Sequence, residues 1–249
     1  MKHLHDDYTR EIHTALGYFA AWPPGAAITL GDVGLVSGRR FRRKTSLTEL
    51  GVDFAVSSPT PIGDLEYATK GSVDVSSTAG GEVPGTAAAK VLLNFSASGA
   101  TFFQASGCAT QTIVNLPALG RVLTRKHEWN RRYVVITEVV RSGPIVVLVS
   151  SERGATAELH ASATPTESPL LGAARTGLDF TVRKGFAAHL ASDSGASPLF
   201  QAMSLRKRPN RGGTMEYRNE VPPEDQDTRD MPTGFVLRRL TWDEFAAEA

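Results

Sequence analysis

Two runs rich in β-branched residues, 132–140 and 145–151, flank the segment Arg141-Ser142-Gly143-Pro144. Val and Ile are stiff at χ1 and pack well on a pleated surface, whereas Gly and Pro interrupt regular structure. The pattern predicts a β-hairpin with its strands at 132–140 and 145–151, and with it an antiparallel sheet at the centre of the fold. More strand-like stretches surround it. Residues 71–81 alternate apolar and polar side chains, 90–105 is long and rich in small residues, and 156–161, 178–184 and 199–205 are of strand length. Shorter candidates lie at 27–30, 34–36 and 52–57.

Two segments instead carry helical periodicity. Leu4, Tyr8, Ile12, Leu16 and Phe19 recur on one helical face, which predicts a helix near 4–21, stopped before Pro23-Pro24-Gly25. Asn115 can cap a second helix over 116–129, with Pro117 in its first turn and Leu116, Leu119, Val122 and Leu123 on one face. The fold class expected is α+β, a mostly antiparallel twisted sheet with flanking helices. A chain of 249 residues suffices for one sizeable core.

Charge narrows the partners. Lys and Arg number 27 against 26 Asp and Glu, a net of +1, so no overall field would hold a polyanion and no nucleic-acid partner is expected. The balance is uneven along the chain: 1–208 carries +5 and 209–249 carries −4. We read 1–208 as a β-rich body and 209–249 as an acidic tail. Between them Arg206, Lys207, Arg208 and Arg211, followed by Gly212-Gly213, read as an exposed linker open to a basic-site protease. Phe235, Val236, Leu237, Leu240, Trp242 and Phe245 are the apolar anchors by which the tail would dock on the body.

The usual catalytic signatures are absent: no Gly-x-Ser-x-Gly elbow, no phosphate loop, no Gly-x-Gly-x-x-Gly and no His-Glu-x-x-His. No enzyme activity, cofactor or metal is expected. His3 and His5 read as an exposed terminal pair, and Cys108, the single cysteine, as a buried small hydrophobe unless distant residues make it a nucleophile. One cysteine forms no internal disulfide. No run approaches the roughly 20 apolar residues of a membrane helix, and the first residues do not follow a signal-peptide pattern. A cytoplasmic protein that meets a membrane from solution is the expectation.

Two basic groups remain. Arg39, Arg40, Arg42, Arg43 and Lys44 surround Phe41, and such a cluster is drawn to anionic lipid by about 1 kcal/mol per cation. It reads equally as a solvated turn whose charges protect a sheet edge. Arg121, Arg125, Lys126, Arg131 and Arg132 bracket Trp129 and read as an exposed helix face, with Arg125 and Lys126 as further candidates for lipid.

Taken together, the middle of the chain resembles the pore-forming domain of the gasdermin family. Tyr133-Val-Val-Ile-Thr-Glu-Val-Val140 leading into 145–151 is similar to that family's Tyr-Val-Val-Thr-Glu-Val strand pair. Gly71-Ser-Val-Asp-Val, a Gly/Ala/Ser-rich strand, a helix and the Trp129 neighbourhood precede it in the family's order, and 181–205 is similar to the closing strands. The resemblance spans roughly 65–205 and suits the shorter bacterial members, whose early Cys is missing here. It implies a non-enzymatic domain kept soluble by its C-terminal segment. On release by a protease, such a domain binds acidic lipid and forms a homo-oligomeric membrane pore by extending β-hairpins, here about 72–105 and 156–184. The competing reading is a soluble β-rich interaction or ligand-binding module.

Overall fold

The computed structural model describes residues 4–79, 88–162, 178–192, 196–207 and 235–247. Helix α1 (Leu4–Leu16) opens the chain, followed by β1 (Phe19–Ala20), β2 (Asp32–Ser37), β3 (Arg40–Ser46), β4 (Ala55–Val56), β5 (Thr60–Ala68) and β6 (Val73–Ala79). Then come β7 (Ala88–Phe95), β8 (Thr101–Val114), α2 (Leu116–Arg125), β9 (Val134–Arg141), β10 (Ile145–Ser150) and β11 (Ala155–Ser162). The described chain ends with β12 (Leu178–Lys184), β13 (Phe186–Ser192), β14 (Leu199–Lys207), β15 (Phe235–Arg239) and α3 (Trp242–Ala246). The class is α+β, with every described strand pairing antiparallel.

Helix α1 is shorter than its periodicity predicts. Gly17 adopts φ +74 and returns its N–H to the His13 carbonyl at 2.9 Å, closing the helix as a left-handed C-terminal residue does. Phe19 therefore lies in a strand, opposite Phe200, and not on the helix. Helix α2 starts as expected: Asn115 takes the left-handed conformation and its side chain accepts from Ala118 N–H, with Pro117 in the first turn. It stops at Arg125, not 129, where the Lys126 N–H closes on Leu123 O. Residues 27–30 form no strand, and 52–57 contributes only Ala55–Val56.

The central hairpin expectation is corrected. β9 and β10 do not pair with each other; both pair with β8, β9 along 109–112 and β10 along 101–105. They therefore run end to end, as one strand interrupted at Ser142-Gly143-Pro144. The interruption is held by Gly143 N–H to Ser106 O and Ser106 N–H to Pro144 O, both 2.9 Å. The turn residues make a bulge in a long strand, a role Gly and Pro share with true reversals.

Four long strands result, paired in sequence order. The first runs from β5 into β6, the second from β7 into β8, the third from β9 through β10 into β11, and the fourth from β12 into β13. Their body-side halves belong to an 11-stranded sheet and their other halves form a separate sheet in the order β12-β11-β7-β6. Helix α1 packs Tyr8 and Ile12 on one face of the large sheet, against Phe103, Val147 and Val149. The small sheet folds over the opposite face, so that Val91, Leu93 and Leu159 meet Phe102, Val146 and Leu148.

Candidate functional site

Each of the four strands breaks where it passes from the large sheet to the small one, and each of these breaks contains a glycine with positive φ: Gly71 (+69), Gly99 (+80), Gly154 (+83) and Gly185 (+82). Any side chain would be strained there. Hydrogen bonds between neighbouring breaks place them on one line. Ser96 N–H donates to Ser72 O at 2.9 Å, Gly99 N–H to Ser150 O at 2.9 Å, Gly154 N–H to Phe95 O at 2.7 Å and Ser151 N–H to Gly185 O at 2.7 Å. Hydroxyls add to it, Ser98 donating to Ser151 O at 2.8 Å and Ser150 to Ala97 O at 2.7 Å. The seam is rich in glycine and serine, and these polar contacts run beside the edge-on packing of Phe95 against Phe186 at 5.1 Å.

Beyond the seam the small sheet is amphipathic with the period of two that strands impose. Val91, Leu93, Phe95, Ala155, Ala157 and Leu159 are all buried on one face. The alternate positions include Asp74, Ser76, Asn94, Thr156 and Glu158, with Thr156 opposite Asn94 and Glu158 opposite Leu92. The first and fourth strands each pair on one side only, so both outer edges of this four-stranded ribbon are without a strand partner among the described residues.

The first basic cluster lies on the β2–β3 hairpin, where Gly38 (φ +54) and Arg39 (φ +58) form a two-residue turn with both φ positive. Among the described residues β3 pairs only with β2, which makes it an edge strand. Its cations divide into two groups. Arg39 binds Asp6 at 2.7 Å and sits over the Trp242 ring; Arg40 reaches His5 Nδ1 at 3.1 Å. Arg43 bridges buried Asp32 at 2.7 Å and Glu49 at 2.6 Å, and its guanidinium holds the Glu49 carboxyl below the usual range. Arg42 and Lys44 are exposed and make no ion pair among the described residues. In the second group Arg125 is exposed, whereas Lys126 donates to Leu50 O at 2.7 Å and ties α2 to the loop after β3. Arg131 lies over the Phe235 ring, 5.5 Å from its centroid.

Arg206 and Lys207, expected in an open linker, are instead the last residues of β14, opposite Val236 and Phe235 of β15. Arg206 also binds Glu244 at 2.6 Å. The side chains of Arg206 and Lys207 are exposed, but strand pairing holds their backbone in the sheet and not in an open linker; Arg208 and Arg211 lie outside the described residues. The tail anchors do touch the body. Phe245 is fully buried and stacks on Phe19 with centroids 4.3 Å apart, Leu240 is 5% exposed, and Trp242 stacks on His13 at 4.8 Å. Phe235 and Leu237 are half-buried beside α2. The capping box of Thr241 and Glu244 starts α3, whose Phe245 and Ala247 carbonyls accept from the β2–β3 turn.

Cys108 is buried and its thiol is pushed up to about 11, by burial first and by Asp64 second, which keeps it from acting as a nucleophile near neutral pH. His5 is not the exposed terminal group expected, for its side chain is 11% exposed between Arg40 and Asp6. The sequence does not single out the four seam glycines. Gly71 and Gly99 were absorbed into strand-like stretches, and 90–105 read as one strand although Phe95 ends β7 and Thr101 begins β8. A single glycine between strand-length apolar patterns was the available signal, and it became meaningful only when four of them fell into line.

No family model and no curated protein matches this sequence. Among solved structures, the chain is similar to one described as the cryo-EM structure of the Gasdermin A3 membrane pore. The identity is 11% and the TM-score 0.39, over 84% of this chain and 93% of that one.

Proposed function

We propose that this protein is a non-enzymatic, membrane-active effector whose four-stranded ribbon swings away from the body at the glycine seam and joins copies of itself into an oligomeric β-pore. The observation that carries the reading is the seam itself: four left-handed glycines in register, joined by polar contacts, separating a packed body from an amphipathic ribbon. A membrane-crossing strand needs roughly 9 to 11 tilted residues with one apolar and one polar side. Each arm between Gly71 and Gly99, and between Gly154 and Gly185, has chain enough for that. The open edges of the first and fourth strands suit pairing with the next copy, which would close a ring and leave no edge in lipid. No described helix is long and apolar enough to cross a bilayer.

Acidic lipid would be met first by Arg42, Lys44 and Arg125, which are exposed and make no ion pair among the described residues. Segment 235–247 is the restraint on this reading, and an activating protease would cut between β14 and β15, at Arg208 or Arg211. The resemblance of the sequence to gasdermin pore-forming domains agrees with this division of labour, with a cytoplasmic inactive form and a membrane-bound active one. The test is dye release from liposomes with and without anionic lipid, using the intact chain and the chain nicked by limited trypsin. Release from anionic liposomes by the nicked chain alone is expected; no release by either form refutes the reading.

A second reading keeps the protein in solution as a ligand-binding module. It is favoured by a groove of about 380 Å³ between α2 and β15, lined by Leu116, Gly120, Met203, Phe235 and Leu237. Binding of a small apolar ligand by a chain that never permeabilises liposomes would select it.

A further inference from the structure

One side of α1 lies on the seam. Thr69, at the break of the first strand, donates its hydroxyl to Glu11 Oε2 at 2.7 Å while accepting the Thr101 N–H at 2.8 Å, so a single side chain joins the helix to the first and second strands. One turn earlier, buried Asp7 stands over Gly99, where a Cβ would come within 3.2 Å of its Oδ2. Asp7 in turn receives Arg10. The helix faces the C-terminal segment as well: His13 stacks on Trp242 with centroids 4.8 Å apart, and Arg39 lies between Asp6 and the Trp242 ring.

From these contacts we infer that α1 is a clasp on the glycine seam, held closed by the C-terminal segment, so that undocking of that segment is transmitted through the helix to the hinge. The inference rests on the pore-forming reading for its biological meaning, but the clasp is a property of the soluble protein. The helix has two fixed attachments on opposite sides. The Glu11 carboxylate is a charged acceptor in a half-buried place, and such hydrogen bonds are roughly twice as strong as neutral ones. Apolar packing of Tyr8 and Ile12 holds the helix to the body, whereas Glu11 and Asp7 are what it offers to the seam. Loss of those polar contacts would leave the body packed and the hinge unguarded.

Amide hydrogen exchange of the full chain in solution, without membranes, tests this. Glu11→Ala should speed exchange in β6, β7 and β11 by about tenfold, the order expected for loss of one hydrogen bond to a charged group, with β9 and β14 unchanged. Trp242→Ala should speed exchange in α1 and in the same ribbon strands. Thr69→Ser, which keeps the hydroxyl, should retain wild-type exchange. Uniform acceleration across all strands, or none in the ribbon, overturns the clasp. A Trp242→Ala effect confined to 235–247 overturns its coupling to the tail. Liposome leakage by the nicked protein is scored separately: a nicked chain that never leaks refutes the pore reading, whatever the exchange data show about the clasp.

Discussion

The same four strands lead two different lives on either side of the glycine seam. On the body side successive residues point into different cores: Phe102 and Phe103 are both fully buried, one beneath the small sheet and the other beneath α1. In the ribbon one face carries most of the burial; Leu93 is fully covered while Leu92 is only partly so, Val75 on the outer strand is 41% exposed, and of the alternate positions Glu158 is buried. Hydrophobic burial scales with area removed from water, so a strand covered on both faces is held far more firmly than one covered on a single face. A protein built this way can open one half of its strands without dissolving the other. Local openings of this kind draw on the least buried parts of a structure.

The largest effect should separate the halves directly. Phe103→Ala should lower the free energy of global unfolding by about 3–5 kcal/mol in urea titrations, as truncation of a fully buried aromatic does. Leu93→Ala, though it also removes a buried side chain, should show its cost as faster exchange in β6, β7 and β11, with a much smaller shift of the urea midpoint. Equal midpoint shifts would mean that ribbon and body unfold together, and the distinction between them would fail.

How much of this contrast the sequence discloses follows from the range over which its signals act. Period-two alternation, a capped and Pro-started helix, and apolar residues in the tail are local, and they were legible as α+β, α2 and the docking of Phe245. The bulge at Ser142-Gly143-Pro144 was not, because the same residues serve a reversal or an interruption, and what decides between them is β8, over thirty positions earlier in the sequence. Likewise Arg39 through Lys44 is uniform as a string of cations. Only register and partners divide it into Arg39, Arg40 and Arg43, which hold the fold, and Arg42 and Lys44, which face water. Arg206 was misplaced for a similar reason: its partner strand begins at Phe235.

A middle-sized effect should come from the seam. At Gly154 an added Cβ would meet no atom within 4 Å, so Gly154→Ala isolates the conformational strain of φ +83, about 1–2 kcal/mol. Gly38 in the β2–β3 turn, at φ +54 with the same empty surroundings, is the matched control. Both substitutions should lower stability comparably, but only Gly154→Ala should accelerate exchange in the ribbon. Identical exchange maps would show the seam to be no different from an ordinary turn.

A smaller effect is expected where the tail meets α1. Burial first and Arg239 second lower the His13 pKa, so the folded protein prefers the neutral ring. Between the folded and the unfolded value the unfolded chain binds more protons, and stability therefore rises with pH in that window. The contribution is present above about pH 6.5, the unperturbed value, and is lost as pH falls through the lowered one. Because the ring is only half-buried, screening keeps it small. Unfolding titrations at pH 7.5 and pH 5 should show a shallower pH dependence for His13→Asn than for the wild type; unchanged dependence would remove His13 from the contact's energetics.

The smallest effect on stability should fall on the outward cations of β3. Arg42 and Lys44 are exposed and make no ion pair among the described residues, so the double substitution Arg42→Glu with Lys44→Glu should leave stability within about 0.5 kcal/mol of the wild type. Arg43→Ala should cost more, because it strands the carboxylate of Asp32, whose side chain is only 5% exposed. Lipid binding should rank the two in reverse. A cation already committed to Asp32 and Glu49 has little charge left for a headgroup, whereas Arg42 and Lys44 can each contribute about 1 kcal/mol toward an anionic surface. Sedimentation of the nicked protein with anionic vesicles should therefore drop by more than tenfold for the Arg42/Lys44 reversal and only slightly for Arg43→Ala. Both should converge on the wild type at high salt, where the Debye length shrinks to about 3 Å near 1 M. If the double reversal binds vesicles as the wild type does, β3 is a charged edge that guards against strand addition, and the membrane is met elsewhere.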